Sequence, residues 1–157
     1  MMLMTVGYEG LTIEQFFSLL CENNVETLVD VRELPLSRKP GFSKTKLQEL
    51  SEKHGIHYIH IRQLGSPRTI RHDYREHKDW RKFSSLFSHY LSRQDEALEN
   101  LEQRIMTERC CLLCFEADHS VCHRSIVADK MSRDMDSVFQ IKHLATTDQT
   151  RSASAHH

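Results

Sequence analysis

The chain has 157 residues, 39% hydrophobic, 27% charged and 8% aromatic, with 21 Lys and Arg against 22 Asp and Glu and a formal net charge of −1. That length suits one domain able to bury a core without metal or disulfides. The composition excludes a disordered tail, a collagen-like repeat and a membrane protein, and with no global basic field, anion binding has to come from a local cluster.

Residues 3–6 open the chain as a strand that stops at Gly7. A helix is predicted over residues 12–21, where Thr12 can cap and Ile13, Phe16, Phe17 and Leu20 share one face. Residues 25–31 (VETLVDV) form a second strand, followed by the loop ELPLSRKPGF with two of the three prolines. A helix from Ser43 to about residue 53 ends before Gly55, and residues 56–61 (IHYIHI) are a third strand. Residues 62–79 are polar and basic and are predicted as loop, while 80–106 carry a long helical pattern broken near 92–95. Residues 109–115 (RCCLLCF) are apolar on both alternating faces, as expected of a central strand. A helix over 120–132 and a last strand over 138–144 complete the pattern.

This alternation predicts an α/β fold, a single compact domain over residues 1–145 with a mostly parallel sheet and helices on both faces. Residues 146–157, ending in Ser, Ala and His, are expected to be a polar tail, disordered or appended. No run approaches the roughly 18–20 apolar residues of a membrane span, and no secretory signal is visible. Five cysteines, two of them adjacent at Cys110 and Cys111, make a poor disulfide framework. The expected location is therefore a reducing cytoplasm, with no membrane partner.

In a parallel α/β sheet, ligands bind outside the carboxyl ends of the strands, and three polar stretches fall there. The densest is CFEADHSVCHRS, residues 114–125. Asp118 or Ser120 can cap the following helix, putting Cys122, His123 and Arg124 in its first turn. There the backbone N–H groups and nearby cations favour a thiolate. Cys122 is either a reactive thiol or a small hydrophobe packed on Ile126. Glu116, just past a buried strand, is either a general acid or base or half of an ion pair with Arg32 or Arg124. A metal reading would use Cys114, Cys122 and His123, with His119 or His60. The spacing C-x7-C-H is not that of a structural zinc site, so no metal or cofactor is assigned and metal stays with the alternative reading.

The second stretch, DVRELPLSR, sets Asp30 and Arg32 on one face and Ser37 and Arg38 in a proline-fixed loop. Guanidinium groups there suit a phosphate or carboxylate, although Asp30 and Arg32 can equally tie the loop to the sheet. The third, HIRQLGSPRTIR, adds Arg62, Arg68 and Arg71 as a possible extension of the same anion cleft.

Together TVGYEG, LVDVRELPLSRKPGF, GIHYIHIRQLGSPR and LLCFEADHSVCHRS, over residues 5–144, resemble the domain of unknown function 488 family. The resemblance implies a small cytosolic α/β domain whose shared positions are Arg32, Pro35, Ser37, Arg38, Gly65, Cys114, Glu116, Cys122, His123 and Arg124. It supplies no reaction. Cys21, Cys110 and Cys111 are additional to the family pattern.

Two expectations follow. One is an enzyme on a phosphate-bearing nucleotide or nucleic acid, with Arg32, Ser37, Arg38, Arg62 and Arg124 binding the anion and Glu116, Cys122 and His123 at the chemistry. The net charge speaks less for nucleic acid than for a small anion. The other is a non-catalytic module that binds an anion or a metal.

Overall fold

Five short strands alternate with helices in the computed structural model, which describes residues 1–135 and 139–155. β1 (Met2–Gly7), β2 (Thr27–Asp30), β3 (His57–His60), β4 (Cys110–Cys114) and β5 (Gln140–Leu144) form one sheet in the order β3-β2-β4-β1-β5, with every pair parallel. Parallel neighbours cannot be joined by a hairpin, so each return passes through helix. These helices are α1 (Ile13–Glu22), α2 (Lys44–Lys53), α3 (Arg68–His77), α4 (Trp80–Leu91), α5 (Asp95–Thr107) and α6 (His123–Asp134), with α7 (Thr147–Ala155) after β5.

Strand alternation sorts the core into two layers. Leu3, Val29, Cys110, Leu112 and Cys114 face α4, α5 and α6, where Phe87, Leu91, Leu101 and Val127 are buried. Met4, Val6, Leu28, Cys111 and Leu113 face α1 and α2, where Phe16, Phe17, Leu20 and Leu47 are buried. β4 is buried along its whole length at the centre of the sheet, as its unbroken apolar run predicts. α1 starts at the predicted cap: the Thr12 hydroxyl accepts from the Gln15 N–H while the Gln15 side chain accepts from the Thr12 N–H.

The order of the strands places the crevice. The chain leaves β1 and β2 towards the α1–α2 face and leaves β4 towards the α6 face. The segments after neighbouring strands therefore diverge around β4, opening a gap at its carboxyl end. Two glycines let backbone pass close beside that gap. A Cβ on Gly7 would stand 1.8 Å from the Glu116 carbonyl oxygen, and one on Gly65 would stand 2.3 Å from the Glu33 nitrogen.

Three segments differ from the sequence expectation. Residues 68–77, predicted as loop, form α3; its only partly buried apolar residues, Ile70 and Tyr74, pack on the α4 side of the core, too sparse a stripe to read as a helical period. α6 begins at His123 rather than residue 120, because His119–Val121 makes a separate 3₁₀ turn capped by Asp118. In place of a polar tail from 146, α7 turns Gln149 inward to donate to the carbonyls of Gly7 and Glu9; His156 and His157 lie outside the described residues. The predicted last strand appears as β5, and Val138 at its expected start also lies outside them.

Candidate functional site

A cleft of about 470 Å³ opens at the carboxyl edge of the sheet. Its floor is Tyr8 after β1, Arg32 after β2, and Cys114, Phe115 and Glu116 at the end of β4. Cys122 and His123 enter from the start of α6, and α3 with the first turn of α4 forms the opposite wall.

Arg32 reaches the floor already paired. Its Nε and Nη2 donate to the two oxygens of Asp30 at 2.9 and 2.8 Å, and its backbone N–H donates to the same carboxylate at 3.1 Å. The Tyr58 hydroxyl completes the set at 2.5 Å. Asp30 is fully buried and Arg32 nearly so. Burial works against the guanidinium charge, but Asp30 outweighs it and holds the Arg32 pKa above its ordinary value. Burial and Asp30 together raise the Tyr58 phenol. The remaining Arg32 edge meets the Tyr8 hydroxyl at 3.4 Å. This pair ties the loop after β2 to the sheet.

Arg124 is buried completely and does not line the cleft. Its Nε donates to Thr5 Oγ1 at 3.1 Å, Nη1 to the Glu116 carbonyl and to Cys114 Sγ at 3.3 Å, and Nη2 to the Ala117 carbonyl at 3.3 Å. Burial pulls its pKa down to about 10, with Glu116 opposing. The guanidinium thus holds the segment that carries Glu116. Thr5 passes the contact on, its hydroxyl 2.6 Å from His143 Nδ1, and His143 stacks on His119 at 3.6 Å.

Beside it, Cys114 and Cys122 are linked as a disulfide across the cleft floor, their Cα atoms 7.7 Å apart. His123 is half-buried; its Nε2–H donates to the Val31 carbonyl at 2.7 Å, which leaves Nδ1 unprotonated, 4.0 Å from Cys122 Sγ. Burial lowers the His123 pKa to about 4, the Val31 contact opposing and Arg124 assisting. The ring is neutral at ordinary pH. Glu116 Oε2 lies 3.4 Å from Cys114 Sγ, and burial raises the Glu116 pKa, Glu9 pushing the same way and Arg124 against. A carboxyl with a raised pKa, facing a cleft, can deliver or take a proton.

The far wall carries the free positive charge. Arg71, Tyr74 and Arg75 recur at i, i+3 and i+4 on α3, and Lys78, the left-handed residue that ends the helix, also lines the cleft, so one basic and aromatic stripe faces it. Arg71 pairs with Glu33 at 3.0 Å, whereas Arg75 and Lys78 make no ion pair among the described residues. Lys78 lies over the Tyr74 ring, and Trp80 stacks on Phe83. At the head of the stripe, Ser66 is 2% exposed and its Oγ has no hydrogen-bond partner among the described residues.

Of the residues singled out from sequence, Arg32, Arg71, Glu116, Cys122 and His123 converge on the cleft. Ser37, Arg38, Arg62 and Arg124 do not line it. Ser37 folds its own loop through Lys39 and Ser43, and Arg38 and Arg62 are exposed elsewhere. Ser66, Tyr74, Arg75, Lys78 and Trp80 are lining residues that sequence reasoning missed. Their signal, a spacing of 3, 4 and 7 from Arg71, becomes readable once 68–77 is known to be helix. Cys110 and Cys111 are packing residues on opposite faces of β4, and burial pushes the Cys110 thiol up to about 12 and raises that of Cys111 as well.

A family model described as domain of unknown function DUF488 matches residues 12–131, more than half of the chain, and the chain belongs to that family. No curated protein and no solved structure matches it.

Proposed function

We propose that this DUF488 protein is an enzyme acting on a phosphate-bearing nucleotide or a single-stranded nucleic acid segment, held along α3 with its reacting group over Glu116. The observation that carries this reading is the stripe of Arg71, Tyr74, Arg75 and Lys78 facing the carboxyl of Glu116 across one cleft. Alternating cations and rings suit a ligand that offers both phosphate oxygens and a flat base. The unpartnered Ser66 hydroxyl supports it, since a buried polar group without a partner costs about 1–3 kcal/mol unless a ligand satisfies it. In this reading α3 supplies the anion contacts first expected of Arg38, Arg62 and Arg124. Arg32 and Arg124 instead hold the floor. Glu116 is the proton donor or acceptor, with His123 and Cys122 beside it.

A cytoplasmic location, proposed from the three free cysteines, requires the Cys114–Cys122 disulfide to be reduced there, and no helix among the described residues is long and apolar enough to cross a membrane.

Trp80 is the only tryptophan of the chain and lines the cleft, so its fluorescence reports on this site. Nucleotides and short single-stranded oligonucleotides should change its emission saturably, and the paired change Arg75→Ala with Lys78→Ala should weaken the response. For an oligonucleotide the salt dependence should also drop by about 0.7 per lost phosphate contact. Mass spectrometry of the same mixtures should find a product that Glu116→Gln does not form. An unchanged emission at millimolar ligand would refute the cleft reading; saturable binding without product would support the binding module instead.

A further inference from the structure

We infer that Cys114, Cys122 and His123 form a zinc site at the base of the cleft when the two cysteines are reduced. In the sequence the spacing C-x7-C-H speaks against such a site, because no close cysteine pair announces it. The fold removes that obstacle. β4 ends at Cys114, the 3₁₀ turn reverses the chain, and Cys122 sits at the N-cap of α6, so two sulfurs and an imidazole nitrogen lie within 4.8 Å of one another.

The surroundings are those of a ligand set rather than of three packed side chains. His123 fixes its tautomer on a backbone carbonyl, Nε2–H to Val31, and offers Nδ1 towards the Cys122 sulfur. A metal-bound imidazole is held by the same second contact from its other nitrogen. The T-shaped contact with Phe87, 5.4 Å between ring centroids, fixes the ring plane. Arg124 brings a guanidinium 3.3 Å from Cys114 Sγ, a donor suited to a coordinated thiolate. The Cα atoms of the two cysteines are 7.7 Å apart, wider than the roughly 4.4–6.8 Å usual for a disulfide. Two thiolates on one tetrahedral zinc, each about 2.3 Å from it, separate the sulfurs and fit the wider span.

Zinc takes both sulfurs as thiolates, so binding releases their protons, and the same pair of atoms serves either the metal or the disulfide. Three protein ligands leave a fourth position for water. Glu116 lines the same cleft, 3.4 Å from Cys114 Sγ. This inference goes beyond the nucleotide reading and does not depend on it: a cleft that binds no nucleotide could still hold zinc here.

The test is a titration of metal-free protein, reduced with a phosphine under anaerobic conditions, with Co²⁺ as a spectroscopic substitute. One equivalent should produce a thiolate-to-cobalt charge-transfer band with visible bands of tetrahedral intensity, and Zn²⁺ should displace both. Cys122→Ser should lose the charge-transfer intensity of one thiolate, and His123→Ala should weaken affinity about tenfold or more. Should those variants fail to fold, the wild-type protein answers alone: stoichiometric Zn²⁺ should slow alkylation of Cys114 and Cys122 and leave exposed Cys21 unchanged. Absence of the charge-transfer band, or equal alkylation of all three cysteines with and without Zn²⁺, overturns the inference.

Discussion

Replacing Arg124 with Lys separates a structural arginine from an anion-binding one. The substitution keeps the charge but exchanges a planar fork of five donors for a single ammonium. Arg124 spans Thr5 Oγ1, Cys114 Sγ and the carbonyls of Glu116 and Ala117. One ammonium cannot reach β1 and both carbonyls together, so at least two acceptors lose their donor. At about 1–3 kcal/mol for each buried group left unpaired, the loss sums to about 2–6 kcal/mol. Glu116 and Ala117 are only partly buried, and water reaching their carbonyls favours the lower half, about 2–4 kcal/mol. Domains of this size have roughly 5–15 kcal/mol in total, so Arg124→Lys should shift the urea midpoint strongly at unchanged slope. The folded variant should still bind a nucleotide within about threefold of wild type, under 1 kcal/mol. A loss of stability below about 1 kcal/mol together with abolished binding would refute this assignment and restore Arg124 to the ligand.

Asp30→Asn should cost about 3–5 kcal/mol in chemical denaturation, because it leaves the buried Arg32 guanidinium without its carboxylate; a change below about 1 kcal/mol would mean that the pair does not fix the loop. Stability should also fall with acid. His123 and His143 both have pKa values lowered from 6.5 to about 4, mainly by burial, so between those values the unfolded chain binds more protons than the folded one. The contribution is intact above about pH 6.5, is lost as the pH falls towards 4, and is constant below. Melting temperatures measured across that window should decline, less steeply in His143→Gln, and a flat profile in wild type would contradict the assignment.

The sheet was legible because its signals are redundant. Residues 110–114 are apolar on both faces, which suits a central parallel strand, and β4 is buried throughout. The Thr12 cap and the break between α4 and α5 were equally plain in the residues. The wall of the cleft was not. α3 has Ile70 and Tyr74 as its only partly buried apolar residues, and its order comes from packing beside α4 rather than from a stripe of its own. Its cations therefore read as a solvated loop. For the same reason, the expected anion set included arginines chosen for lying near strand ends, although closeness in sequence to a strand end does not say which way a side chain leaves it.

The three residues Cys122, His123 and Arg124 make that limit concrete. They are consecutive, and sequence reading assigned them jointly to the cleft. A helix rotates successive residues by about 100°, so neighbours at its start must diverge. Cys122, at the N-cap, faces Cys114; His123 reaches across to the Val31 carbonyl after β2; Arg124 turns under the sheet end to Thr5. Two of the three meet the cleft and the third builds its floor. The same divergence unites Cys114 with Cys122 and His123, because β4 supplies a donor from one side while α6 supplies two from the other. What fixes a site of this kind is the angle at which a helix leaves a strand. The residues state the chemistry available, and the 3₁₀ turn at His119–Val121 decides which of them can share an atom.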